Sequence, residues 1–218
     1  MKSPSVVFMG PVLHDTLIID RLGTSFSKPG GFVVHALKAS RSLFPRTRVG
    51  VVSVLGSDFK WGTHLFHGSD VRGLSGAGEK TPVVVNRIFK NGLVKTLRFN
   101  WRFLDRHSPV LPPDYSNAKL LVFSSLPPSD FTKTRGFRGR ILFSTKKRWI
   151  DRYPEETLRA VERADILVFN HEEAATLAGL GLDLLDRKKA LEYAAAKKKI
   201  VVVTRAVLAA RRSTRAAS

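Results

Sequence analysis

Residues 164–180, Ala-Asp-Ile-Leu-Val-Phe-Asn-His-Glu-Glu-Ala-Ala-Thr-Leu-Ala-Gly-Leu, constrain the fold more than any other stretch of the chain. The apolar run 166–169 reads as a fully buried strand, and Asn170-His171-Glu172-Glu173 ends it. Ala174, Ala175, Leu177 and Ala178 then recur at helical spacing, and Gly179 predicts the C-cap. In an open α/β sheet, ligands sit beyond the carboxyl ends of such strands, beside helix N-termini. Asn170 and Glu173 stand where a metal–phosphate or a hydroxyl would be met. An N-cap asparagine with acids in the first turn explains the same residue types without any ligand.

The same alternation extends along the chain. Strands are predicted at 5–9, 17–19, 49–54, 120–123, 141–143 and 200–203. Pro29-Gly30-Gly31 opens a helix in which Val33, Ala36, Leu37, Ser40 and Phe44 share a face. A Gly pair at that point lets a ligand approach bare N–H groups at the positive end of the dipole, and His35 lies one turn in. Gly56-Ser57-Asp58 makes a tight turn, a short helix is predicted over 59–67, and the Gly-rich, polar stretch 68–80 reads as a loop. Residues 82–100 differ: valine-rich runs flank Asn91-Gly92, a hairpin signal that suggests a lid. Proline-rich residues 105–118 read as connection. Helices are predicted at 154–161 and 186–199, the latter with Leu191, Ala194 and Ala195 inward.

Length and composition set the limits. A chain of 218 residues with 43% hydrophobic residues suggests one domain with a substantial core. Without cysteine there is no disulfide, thiolate zinc site or Cys nucleophile. The first apolar run is too short for a signal peptide, and no run approaches a membrane span, so a cytoplasmic protein is expected. The net charge of +19 favours anionic partners, either phosphorylated small molecules or nucleic acid. Seven of the cations, with no acid among them, fall in residues 131–150, which read as a solvated face. They are not interleaved with aromatics, which argues against nucleic acid.

Taken in order, an N-terminal strand, Gly10 to Asp15, Pro29-Gly30-Gly31, a strand into Gly56-x-Asp58, Asp165-Ile-Leu-Val-Phe-Asn170-x-x-Glu173 and a strand closing on Thr204 resemble the PfkB/ribokinase family of carbohydrate kinases. The resemblance runs through residues 5–205. It implies a three-layer α/β/α, ribokinase-like (Rossmann-like) domain over 1–205, with a small antiparallel β lid at about 12–28 and 82–100. It also implies an ATP-dependent sugar or nucleoside kinase that uses ATP and Mg²⁺, with a homodimer through the lid as a possible assembly. Asp15, Gly30, Gly31 and His35 would bind the acceptor. A carboxylate suits two vicinal hydroxyls, which is a physical reason for Asp15. Asn170 and Glu173 would place the metal and phosphates, with Glu173 toward the metal, and Thr204 would lie near the nucleotide phosphates.

The departures from the family pattern bear on activity. His35 stands where the family usually has Asn, and Gly62 falls one residue late after Asp58. No Gly-Ala-Gly-Asp anion hole with its catalytic Asp follows Thr204, and the glycines at 73–78 do not supply one. No catalytic residue is therefore assigned, and turnover by this polypeptide is not expected. Residues 206–218, a basic tail, read as a departure from the family: a frameshift or truncated gene, or else a short paralogue. A sugar- or nucleotide-binding paralogue without catalysis and a basic nucleic-acid-binding protein are the alternative functions.

Overall fold

A computed structural model describes residues 3–204. The predicted tail, 206–218, lies outside the described residues. The described residues form eleven strands, arranged in two sheets, and seven α-helices. The larger sheet is parallel, with the order β11-β10-β9-β8-β1-β4-β5. In chain order its strands are β1 (Val6–Met9), β4 (Val49–Leu55), β5 (Asp70–Gly76), β8 (Leu120–Ser124), β9 (Arg140–Ser144), β10 (Ile166–Asn170) and β11 (Ile200–Thr204). The smaller sheet, in the order β3-β2-β6-β7, contains β2 (Leu13–Ile19), β3 (Thr24–Gly30), β6 (Val83–Ile88) and β7 (Val94–Phe99). Its outer pairs are antiparallel, and its central pair, β2 with β6, is parallel.

Strand alternation divides the large sheet into two faces. Val7, Met9, Leu121, Phe123, Ile141, Phe143, Leu167 and Phe169 point into the main core. There they meet α3 (Trp101–Arg106), α4 (Lys147–Arg152), α5 (Pro154–Arg163), α6 (His171–Gly179) and α7 (Arg187–Lys197), through residues such as Phe103, Trp149, Val161 and Leu177. The opposite face carries a smaller core of Val49, Val51 and Phe66 against Val33, Val34 and Leu37 of α1 (Phe32–Leu43). A short α2 (Gly62–Leu65) packs on the same side through Leu65. The architecture is thus α/β/α, as the sequence pattern predicts.

Several local expectations are corrected. Residues 68–80 are not a loop throughout, because β5 forms there as a parallel edge strand on β4. Its weak β composition is offset by long-range contacts. Gly73 packs where a Cβ would stand 2.5 Å from the Val51 carbonyl oxygen. Asp70 accepts hydrogen bonds from Arg72 and from the Tyr115 hydroxyl, which hold its carboxyl down at about 2. The helix predicted over 59–67 shrinks to α2. Residues 105–118, expected as connection, include the end of α3 and a 3-10 turn at Pro113–Asn117. Gly179 closes α6 from within, and the positive φ falls on Gly181. On α7, Leu191 and Ala195 are exposed and Ala194 is half-buried; Ala190 and Tyr193 pack against the main core.

The hairpin is where Asn91-Gly92 places it. Residues 89–93 close it, with the Phe89 N–H donating to Leu93 and Gly92 at φ 81°. No helix among the described residues is long and apolar enough to cross a membrane.

Candidate functional site

A cleft of about 540 Å³ opens where the small sheet overhangs the carboxyl ends of the large one. Asp15 of β2 and Asn86 of β6 come from the small sheet, Gly31 and His35 from the start of α1, and Ser124 and Lys146 from the ends of β8 and β9. Asp15 is 9% exposed, and its Oδ1 accepts a hydrogen bond from the Asn86 side-chain amide at 3.2 Å. The Thr96 hydroxyl donates to the Asn86 carbonyl oxygen at 2.7 Å. This Thr96–Asn86–Asp15 relay fixes the carboxylate in orientation.

The glycine pair has two separate structural reasons. Gly31 has φ 90°, and a Cβ there would lie 2.4 Å from the Pro11 carbonyl oxygen. It is the N-cap of α1, with no side-chain cap, and it lines the cleft. Gly30 does not line the cleft; it pairs with Leu13 and backs onto Asp15. His35 stands on the cleft wall. Partial burial, then the charge of Lys28, holds its imidazole below the ordinary value against the opposing pull of Asp15. A neutral ring can both donate to and accept from a hydroxyl.

The second group of predicted residues lies along the strand ends of the large sheet. Asn170 is the N-cap of α6: its side chain accepts from the Glu173 N–H at 2.8 Å, and Glu173 Oε2 accepts from the Asn170 N–H at 2.9 Å. The structure therefore realises a capping box. Glu173 is 4% exposed, and burial pushes its carboxyl up, opposed by the Asn170 N–H and the nearby Lys146 charge. Thr204 pairs in register with Asn170, with its hydroxyl donating to the Phe169 carbonyl at 3.5 Å. Among the described residues, no group of three or more His, Cys, Asp or Glu could hold a metal. A Mg²⁺ site carried by one carboxylate together with phosphates and waters is still compatible with Glu173.

Sequence reasoning missed Asn86, Thr96 and Lys146. Lys146 stands two residues beyond the end of β9, near a strand end as the Asn170 stretch is, and that position was the available signal. It lines the cleft and also acts electrostatically on Glu173, so it links the two groups. The seven cations of the run 131–150 are all exposed, as a solvated run would have them, and several also have partners. Lys133 pairs with Asp130, Lys147 pairs with Asp151, and the Arg148 guanidinium lies 5.0 Å from the Trp101 ring centre. Asp58 does not reach the cleft lining. It accepts from the Thr81 N–H at 2.7 Å and tethers the entry to β6.

No protein-family model and no curated protein sequence matches the chain. Solved structures do. An archaeal nucleoside kinase of the ribokinase family from Methanocaldococcus jannaschii superposes with a TM-score of 0.67 at 15% identity, over 94% of this chain and 72% of that one. A putative ribokinase II from E. coli also gives 0.67, at 17% identity, over 94% and 73%. Ribokinase from Thermotoga maritima gives 0.64 at 16% identity, over 93% and 72%. The chain has the ribokinase-like fold, and the resemblance in the sequence holds at the level of that fold.

Proposed function

We propose that this chain binds a sugar or nucleoside in the Asp15 cleft and a nucleotide along the carboxyl ends of β9, β10 and β11, as a kinase-type protein transferring phosphoryl to a hydroxyl. The observation that carries the reading is the oriented Asp15 carboxylate, held by Asn86 and Thr96 in a cleft that reaches Lys146. Asp15 accepts hydrogen bonds from two vicinal hydroxyls, and neutral His35 contacts a third. Lys146 supplies a cation between the acceptor and the phosphates, and Asn170, Glu173 and Thr204 border the nucleotide. Mg²⁺, when bound near Glu173, neutralises phosphate charge.

Phosphoryl transfer needs preorganised donors for the moving charge and a base for the hydroxyl proton. Residues 1–218 hold no Gly-Ala-Gly-Asp, and Asp15 is engaged in acceptor binding. The reading is therefore binding of both substrates, with little turnover by these residues alone. Calorimetric titration with ribose, fructose and nucleosides is the test. Binding that Asp15→Ala abolishes is expected; equal binding by the variant would overturn the assignment.

A further inference from the structure

The Asp15 cleft has two unlike ends, and the register of the small sheet sets the distance between them. Asp15 of β2 pairs with Val84 of β6, and Val84 pairs with Phe99 of β7. Side chains paired in this way stand in one row on one face of a sheet, and all three line the cleft. Strands lie ~4.8 Å apart, so Phe99 stands roughly 10 Å from Asp15 across the row. Asp15, Asn86 and His35 make the first end polar. The second end is aromatic. Phe99 closes β7 and Trp101 opens α3, and their half-buried rings meet edge to face with centres 3.8 Å apart. Behind them the fully buried Trp149 stands edge-on to Trp101, with ring centres 5.2 Å apart, and the Arg148 guanidinium lies 5.0 Å from the Trp101 ring centre. The two lining rings are therefore set in place by packing before any ligand arrives.

A cleft with hydroxyl-binding groups at one end and preset rings at the other suits a ligand of the same two-part character. A free sugar carries hydroxyls around its whole rim, and those turned to an aromatic wall lose hydrogen bonds to water without replacement. An aromatic ring can also take the C–H face of a sugar, but here the distance decides. With covalent bonds of ~1.5 Å, a sugar ring held by its hydroxyls at Asp15 ends short of Phe99. The same ring with a planar base joined to it covers the span. The cleft volume of about 540 Å³ falls among those that take ligands of that size. We propose that the acceptor of this cleft is a nucleoside and not a free sugar, with its ribose hydroxyls on Asp15 and its base stacked at Phe99 and Trp101. The inference rests on the reading of the Asp15 cleft as the acceptor site, and it makes Phe99 and Trp101 the residues that set specificity.

The test is calorimetry on the full chain with adenosine, uridine and ribose, without added nucleotide. Both nucleosides are expected to bind at least about tenfold more tightly than ribose, since stacking a base on an aromatic side chain changes affinity by roughly fivefold or more. Phe99→Leu keeps an apolar side chain without a ring and should shrink the nucleoside-to-ribose ratio at least about fivefold, and Phe99→Tyr should restore it. Nucleosides should change the tryptophan emission of the chain where ribose does not, and Trp101→Phe should remove that change. The native ratio tests the proposal even where Phe99→Leu impairs folding. Ribose bound as tightly as the nucleosides, with Asp15→Ala abolishing both, would overturn this inference and leave the acceptor reading standing. A ratio that Phe99→Leu leaves unchanged would overturn the placement of the base. Binding of none of the three ligands, or nucleoside binding that Asp15→Ala leaves intact, would overturn the acceptor reading and this inference with it.

Discussion

Gly30 presses so closely on Asp15 that a Cβ at residue 30 would stand 2.5 Å from the Asp15 Cβ. The carboxylate that faces the cleft is thus held from behind by the absence of a side chain. Gly30→Ala is expected to displace Asp15 and weaken acceptor binding more than about tenfold, while overpacking lowers stability by about 1–3 kcal/mol. Calorimetry paired with thermal denaturation separates the two effects. Unchanged affinity would mean that Asp15 tolerates the shift.

The relay behind Asp15 has a smaller expected effect. Thr96→Val removes the donor that orients the Asn86 amide, and one such hydrogen bond contributes about 1 kcal/mol. Acceptor affinity should fall roughly five-fold, and Asn86→Ala should cost more because Asp15 then loses its partner directly. Asn86→Ala binding as tightly as the native chain would remove the relay from the site.

Glu173 makes stability depend on pH in a definite direction. Burial raises its carboxyl above the ordinary 4.5, so across that window the folded chain binds more protons than the unfolded one. The group's contribution therefore declines as pH rises from about 4.5 to its raised value, and its cost is complete above that value. Glu173→Gln keeps an acceptor at the third position of α6 for the capping box but cannot ionise. The stability difference between the variant and the native chain should grow in the variant's favour through that pH range in denaturant titrations. A difference independent of pH would show that the carboxyl is not raised.

Sugar-dependent ADP release by residues 1–218 with Mg-ATP should be barely above background. Lacking one oxyanion-type donor costs about 100- to 1,000-fold, and lacking a general base roughly 100- to 10,000-fold more. The control is Lys146→Ala, which removes the cation linking the cleft to Glu173. Robust release lost in that variant would show that a base exists elsewhere in the chain.

The sequence alone determined the elements whose signals are local. The apolar runs at 166–169 and 120–123 are strands, Asn91-Gly92 turns a hairpin, and Asn170 with Glu173 caps a helix. Each depends on residues within a few positions of one another, where periodicity, positive φ and capping act. Only the tertiary structure decided that Asp70–Gly76 is a strand, because its stability comes from β4, Tyr115 and close packing at Gly73. It likewise decided that Asp15, Asn86 and Lys146 share one cleft, since they lie on β2, on β6 and after β9. The exposure of Leu191, Ile200 and Val202 was set in the same way. Strand and helix periodicity gives each residue a face, but which faces are covered depends on the layers that long-range packing brings together.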